Sequence, residues 1–204
     1  MTKKILEDQI YQVADFLNPY FYKFGFTPNM LTGLSFLFMI ISMLMFYKDY
    51  RILAVIFYII NYYFDCADGN MARKYNIVSN LGDFLDHFTD VIGIVLLLLV
   101  LYFKNKKNFV KLIPLVIILI LILLNDLGCD ELKKKNNDNS KTLNFTKYFC
   151  FVSSPKYLYF FNTSIIMVFI CFIILYYKWI WRIVDIKLKN EIINTFQCKS
   201  LINK

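Results

Sequence analysis

The stretch from Asp65 to Asp90 reads DCADGNMARKYNIVSNLGDFLDHFTD. It sets Asp65 and Asp68 three residues apart, then Gly69, Ala72 and Arg73, and then Gly82, Asp86 and Asp90 at four-residue steps. Apolar runs flank it, Ile52–Phe64 before and Val91–Phe103 after. Carboxylates are costly at membrane depth, so four of them at ordered spacings need a reason. At about 100° per residue, Asp65, Asp68 and Ala72 share one helix face, and Gly82, Asp86 and Asp90 share another. Two helices joined through Arg73–Leu81 would turn these faces toward each other. Such a cluster of oxygen ligands suits hard divalent cations such as Mg2+ or Mn2+. The plainer alternatives are a solvated helix end or a proton relay.

The rest of the chain places this cluster in a membrane. Hydrophobic residues make up 58% of the 204 and aromatics 19%, with a mean hydropathy of +0.50. Soluble domains carry about 45–50% apolar residues, and several runs here approach the roughly 20 that cross a bilayer. The expected fold class is an all-α polytopic membrane protein forming one domain over residues 1–204. Net charge is +8, from 23 basic and 15 acidic residues. In this setting the excess suits an anionic membrane face, and no basic reader motif points to nucleic acid. Cys66, Cys129, Cys150, Cys171 and Cys198 contain no C-x-x-C pair and read as buried small hydrophobes or thiols. Met1–Asn18 lacks the basic start and short apolar core of a cleavable signal, so the first apolar run is expected to act as an internal anchor.

As a string, the opening stretch is D-x2-D-G-x2-A-R-x8-G-x3-D-x3-D, and it resembles the signature of the CDP-alcohol phosphatidyltransferase family. Eight fixed positions at fixed distances are filled within 26 of the 204 residues. Thr27-Pro28-Asn29, followed by Thr32, is similar to the family's usual entry into its first membrane helix. The resemblance implies a membrane transferase of phospholipid biosynthesis. It would move a phosphatidyl or phospho-alcohol group from a CDP-linked donor to an alcohol acceptor and release CMP. It also implies two bound Mg2+ or Mn2+ ions, with Asp65, Asp68 and Asp86 as metal ligands. Asp90 is then a further metal-site residue and the favoured general base. Gly69, Ala72, Arg73 and Gly82 would bind the donor: the small residues give room for close approach, and Arg73 holds a phosphate. Asp83 lies outside the signature. His87, the sole histidine, reads by default as a structural or solvated residue. Yet Asp86-His87 is similar to the pattern of choline and ethanolamine phosphotransferases, which use diacylglycerol as acceptor. The expected partners are donor, acceptor, the lipid bilayer and a second copy of the chain, without nucleic acid.

Taken in order, residues 1–26 hold an amphipathic segment with aromatics, expected to lie in the interface and to bend or end at Pro19. A transmembrane bundle is expected over 27–184. Its apolar runs are Leu34–Tyr47, Ile52–Asp65, Leu85–Phe103, Leu112–Asn125 and Tyr157–Ile183, the last with Trp179 and Trp181 at an interface. The polar stretch Asp126–Lys141 reads as a loop. These runs give five spans, and the family's usual six would draw the other from Leu143–Phe161. On the motif side lie 11 basic residues: Lys3, Lys4, Lys23, Arg73, Lys74, Lys133, Lys134, Lys135, Lys141, Lys147 and Lys156. The opposite turns carry six, namely Lys48, Arg51, Lys104, Lys106, Lys107 and Lys111. This asymmetry puts the motif on the cytosolic side. The basic tail 185–204 would prefer that side too, which requires an even number of spans.

Three other readings compete. A transporter or proton pathway would spread acids over several spans, and the other spans carry almost none. A non-catalytic scaffold would lack a motif aspartate. An isoprenoid-diphosphate prenyltransferase needs two distant Asp-rich motifs, and the chain has one cluster.

Overall fold

Helix starts and stops are written in the sequence by caps. The structure, a computed structural model, describes residues 5–106, 109–112 and 166–182, with a few isolated positions between 117 and 148. The first helix, α1, spans Ile5–Lys23 and contains Pro19. It ends where Gly25 adopts φ +82, with Phe26 N bonded to Phe21 O and Gly25 N to Tyr22 O. This paired closure satisfies the last carbonyls and requires a left-handed residue, for which glycine is suited. Thr27 then caps α2, Pro28–Tyr47, its side chain accepting from Met30 N with Pro28 in the first turn.

The next two helices end in the same closure without glycine. Asp49 takes φ 68 at the end of α2 and Asn76 takes φ 55 at the end of α3, Arg51–Lys74. Ser79 caps α4, Asn80–Lys104, accepting from Gly82 N. The motif connection is therefore short, and both acidic faces lie on helix. Phe109–Leu112 forms a 3-10 turn, and residues 166–182 form a further helix, α5.

Three of the helices, α2, α3 and α4, are long and apolar enough to cross a membrane among the described residues. The described elements are thus all helical, and three of them fit an integral-membrane core. The expected fourth span over 112–125 falls mostly outside the described residues. The 126–141 loop, the 143–161 candidate span, and the tail fall outside them apart from single positions.

α2 packs against both α3 and α4. Its buried stripe includes Thr32, Ser35 and Ser42. Each of these hydroxyls bonds to α3: Thr32 to Asp68, Ser35 to Asn61 at 2.8 Å, and Ser42 to Ala54 O at 2.7 Å. Small hydroxyl residues let membrane helices approach closely and give directional contacts worth about 0.6 kcal/mol each on average. Toward α4, a Cβ on Gly93 would come within 2.4 Å of Met39 Sδ, so the missing side chain is what seats Met39.

Two apolar clusters hold the ends. At the motif end, Ala14, Leu31, Ala67 and Met71 join α1, α2 and α3. At the other end, Phe46, Ala54, Leu101, Ile174 and Trp181 join α2, α3, α4 and α5. Arg51 Nη1 donates to Leu175 O at 2.7 Å, and Tyr58 lies within electrostatic reach of Cys171. α5 therefore runs antiparallel to α3 and delivers residue 182 to the end opposite the motif. The expected return of the chain to the motif end gains no support from this direction.

Pro19 neither ends nor interrupts α1. A proline removes the amide that would bond the carbonyl four residues earlier, here Asp15. That carbonyl accepts from Lys74 Nζ at 3.1 Å instead. The tertiary contact uses what the proline leaves open.

Candidate active site

Asp65 and Asp68 sit on the last turns of α3, and Asp86 and Asp90 on the first turns of α4. Asp65 lies within electrostatic reach of Asp68, Asp86 and Asp90 and shares a hydrogen bond with Asp86. Asp68 is buried, Asp65 and Asp86 are half-buried, and Asp90 is open. The four carboxylates thus lie at the same end of α3 and α4.

Thr32, from the first turns of α2, donates to Asp68 Oδ2 at 2.5 Å. Thr89 donates to the Asp86 carbonyl at 2.8 Å. His87 is placed between two acids: Nε2 lies 3.5 Å from Asp83 Oδ1 and Nδ1 lies 4.0 Å from Asp86 Oδ2. Asp83, outside the signature, is thereby drawn to its edge.

The small residues have specific neighbours. A Cβ on Gly69 would come within 3.2 Å of Arg73 Nη1, so the guanidinium lies back over the glycine. Its other side faces the Tyr11 ring of α1, 5.8 Å away. A Cβ on Gly82 would come within 3.0 Å of Asn29 Oδ1 and 3.1 Å of Ser79 Oγ. Gly82 therefore lets the Thr27-Pro28-Asn29 entry of α2 close onto α4. Ala72 is half-buried, one turn beyond Asp68.

Behind the motif, α1 grips α3. Asn18, fully buried, donates through Nδ2 to Ala67 O at 3.0 Å and to Asn70 Oδ1 at 2.8 Å. Asp15 pairs with Lys74 at 3.2 Å. Ala67, Asn70 and Lys74 lie on the side of α3 away from Asp65 and Asp68, so α1 supports the helix from behind the acidic face.

Asn18 and Tyr11 have no role in the sequence reading, and Thr32 enters it only as part of the string that opens α2. Thr32 carried a signal, since it stands three residues after Asn29 in the string that opens α2. Asn18 carried a weaker one, a polar residue on the same α1 face as Ala14 and Phe21. Nothing in local sequence pairs Tyr11 with Arg73.

The donor set fits a divalent cation by chemistry, because all four motif side chains are carboxylates, hard oxygen ligands. Among the described residues, however, no three such side chains converge as a finished ligand set.

Long apolar helices with an acidic cluster and one arginine at a single end define a polytopic membrane protein with a polar site near one bilayer face. The family follows from comparison with known proteins. The family model described as CDP-alcohol phosphatidyltransferase matches residues 26–188, and the chain belongs to that family. It is also similar to an archaetidylinositol phosphate synthase from Pyrococcus horikoshii, at 39% identity over 66 residues. That match spans 32% of this chain and 35% of the relative. No solved structure matches at a significant level.

Proposed function

We propose that this chain is a metal-dependent phospholipid-synthesis enzyme. It transfers a phosphatidyl or phospho-alcohol group from a CDP-linked donor to an alcohol acceptor and releases CMP. The observation that carries this reading is the placement of Asp65 and Asp68 near the end of α3 and of Asp86 and Asp90 near the start of α4, across one short connection, in a chain of this family.

In this reading Asp65, Asp68, Asp86 and Asp90 hold one or two Mg2+ or Mn2+ ions. A divalent ion held by these carboxylates would supply charge neutralisation of the donor diphosphate and polarisation of its phosphorus. Arg73, exposed and lying over Gly69, swings out to bind a phosphate oxygen through its planar fork. Gly69, Ala72 and Gly82 keep the donor's path narrow but open. Asp90 takes the proton of the attacking hydroxyl, which its open position allows it to reach.

Two acceptor classes follow from different observations. The relative's name denotes synthesis of archaetidylinositol phosphate, which favours a CDP-linked lipid donor and a polar alcohol acceptor. The Asp86-His87 pair favours diacylglycerol with a CDP-linked small alcohol as donor. We read the site as cytosolic, from the basic asymmetry of the sequence. α1 is read as interfacial because Val13, Phe16, Tyr20 and Phe24 form an exposed apolar stripe. The direction of α5 supports an odd number of crossings up to residue 182, hence five rather than six over that length. A homodimer fits the same reading.

The deciding experiment is CMP release by purified protein in vesicles, across a panel of CDP-linked lipids and CDP-alcohols with both acceptor classes. Metal-dependent release with one pairing is the expected result. Its absence over the whole panel with Mg2+ and Mn2+ overturns the proposal.

A further inference from the structure

Thr32 lies inside α2, where a threonine normally bonds the carbonyl four residues earlier and needs no other partner. That option is present: Oγ1 is 3.2 Å from Pro28 O. It is also 2.5 Å from Asp68 Oδ2, a residue 36 positions away on another helix. One hydroxyl has one proton. Both acceptors are within its reach, and the Asp68 oxygen is the nearer, at 2.5 Å against 3.2 Å. The proton therefore goes to Asp68. Thr32 is 4% exposed and Asp68 5%, so water does not replace this donor.

We propose that Thr32 is a positioning residue for the metal site: its hydroxyl holds Oδ2 of Asp68 and so fixes how that carboxylate is presented to a divalent cation. The inference rests on the proposed metal-binding role of the carboxylates. Threonine suits the task because its branched Cβ restricts χ1 and fixes the hydroxyl direction. The contact also makes α2, which supplies no motif aspartate, part of the site. The motif alone does not show this link, since Thr32 stands outside the Asp65–Asp90 string.

The test is Mn2+ binding to the purified protein in detergent, followed by electron paramagnetic resonance without nucleotide or acceptor. Thermal unfolding is followed in parallel. Thr32→Val keeps the shape and removes the donor, and its Mn2+ affinity is expected to fall about 10–100-fold, as for other groups that orient a ligand. Thr32→Ser keeps the donor and is expected to retain most of the affinity at an ordinary melting temperature. Where Thr32→Val does not fold, Thr32→Ala against Thr32→Ser gives the same comparison. Thr32→Val binding as wild type overturns the inference and leaves the metal reading standing. Thr32→Ser falling as far as Thr32→Val also overturns it, because the methyl group would then be what matters. Wild-type protein that takes up no Mn2+ overturns both.

Discussion

The carbonyl oxygen of Asp15 accepts a hydrogen bond from Lys74 Nζ at 3.1 Å, and Pro19 is the reason that it can. A helix-interior proline leaves the carbonyl four residues back without its amide. In α1 that oxygen points at the motif helix, whose last turn supplies a lysine. The same turn of α1 supplies Asn18, so one short segment provides the whole polar grip on the back of α3.

The two halves of that grip differ in strength. Asn18 is fully buried, and losing its donor leaves the Asn70 oxygen and an extra lone pair of Ala67 without it. Buried hydrogen bonds of this kind cost about 1–3 kcal/mol when one partner is removed. Asn18 Oδ1 itself has no hydrogen-bond partner among the described residues, so replacing the residue also removes an unsatisfied atom and offsets part of that loss. Asn18→Leu is therefore expected to destabilise by about 1–2 kcal/mol. Lys74→Met is expected to cost under about 1 kcal/mol, because the ion pair is exposed. Thermal unfolding in detergent checks both, and a rise in melting temperature for Asn18→Leu would contradict the grip.

At the opposite end, Asp49 ties the α2–α3 turn to α4 and α5. Its left-handed backbone is held by Lys104 at 2.6 Å and Lys178 at 3.4 Å, and by a short hydrogen bond from Tyr177. The Lys104 contact, then the Tyr177 hydroxyl, lowers its pKa from 3.8 to about 2. A carboxyl whose folded pKa is depressed stabilises the fold above the unfolded value and loses that contribution as pH falls. Stability should therefore drop between about pH 4 and pH 2, and Asp49→Asn should flatten that part of the profile. Because Asp49 is about half exposed, the amplitude should shrink with added salt. Melting temperature against pH, at two salt concentrations, is the measurement. An unchanged slope in Asp49→Asn would assign the acid transition to other carboxyls.

How much of this was legible in the sequence depends on the range of each interaction. The acidic faces were readable because helical spacing is local: Asp65 and Asp68 need only each other's register, and so do Asp86 and Asp90. The α2 entry was readable for the same reason, since Thr27 and Pro28 cap a helix within one turn. Pro19 misled, because its cost is local but its compensation comes from Lys74, far along the chain. The motif connection was read as running to Leu81, yet Ser79 caps α4 at Asn80; a serine three residues before Gly82 was the available signal. Thr32–Asp68, Asn18–Ala67 and Asp49–Lys104 each join separate helices, and no local pattern encodes such partners.

Topology offers a direct check on orientation. Val78, in the motif connection, is 71% exposed, and Lys48 is exposed in the turn at the other end. On a cysteine-free background, Val78→Cys and Lys48→Cys should label from opposite faces of sealed vesicles, with Val78→Cys reached from the cytosolic face. The 11-to-6 basic asymmetry sets that direction. Labelling of Val78→Cys from the lumenal face alone would reverse the assignment, and labelling of both from one face would contradict α2 as a crossing helix.

The roles of the aspartates can be separated by what each loss does to metal. Asp90 is the most open of the four and lies one turn beyond Asp86 on α4. It is placed to meet a hydroxyl without displacing a cation held by the others. If Asp90 is the base, Asp90→Asn should still bind donor nucleotide and metal. Its loss should fall on kcat by about 10²–10⁴-fold, the usual contribution of a general base. Asp65→Asn removes the carboxylate that reaches all three others, so it should weaken metal binding instead, with excess Mg2+ restoring part of the activity. Asp86→Asn should behave like Asp65→Asn, since the two share a hydrogen bond. Metal titrations of kcat and of Mn2+ binding, run on each variant, distinguish the roles. If Asp90→Asn loses metal affinity as severely as Asp65→Asn, Asp90 is a ligand, and the proton must leave through another group. His87, held between Asp83 and Asp86, is then the next residue to replace.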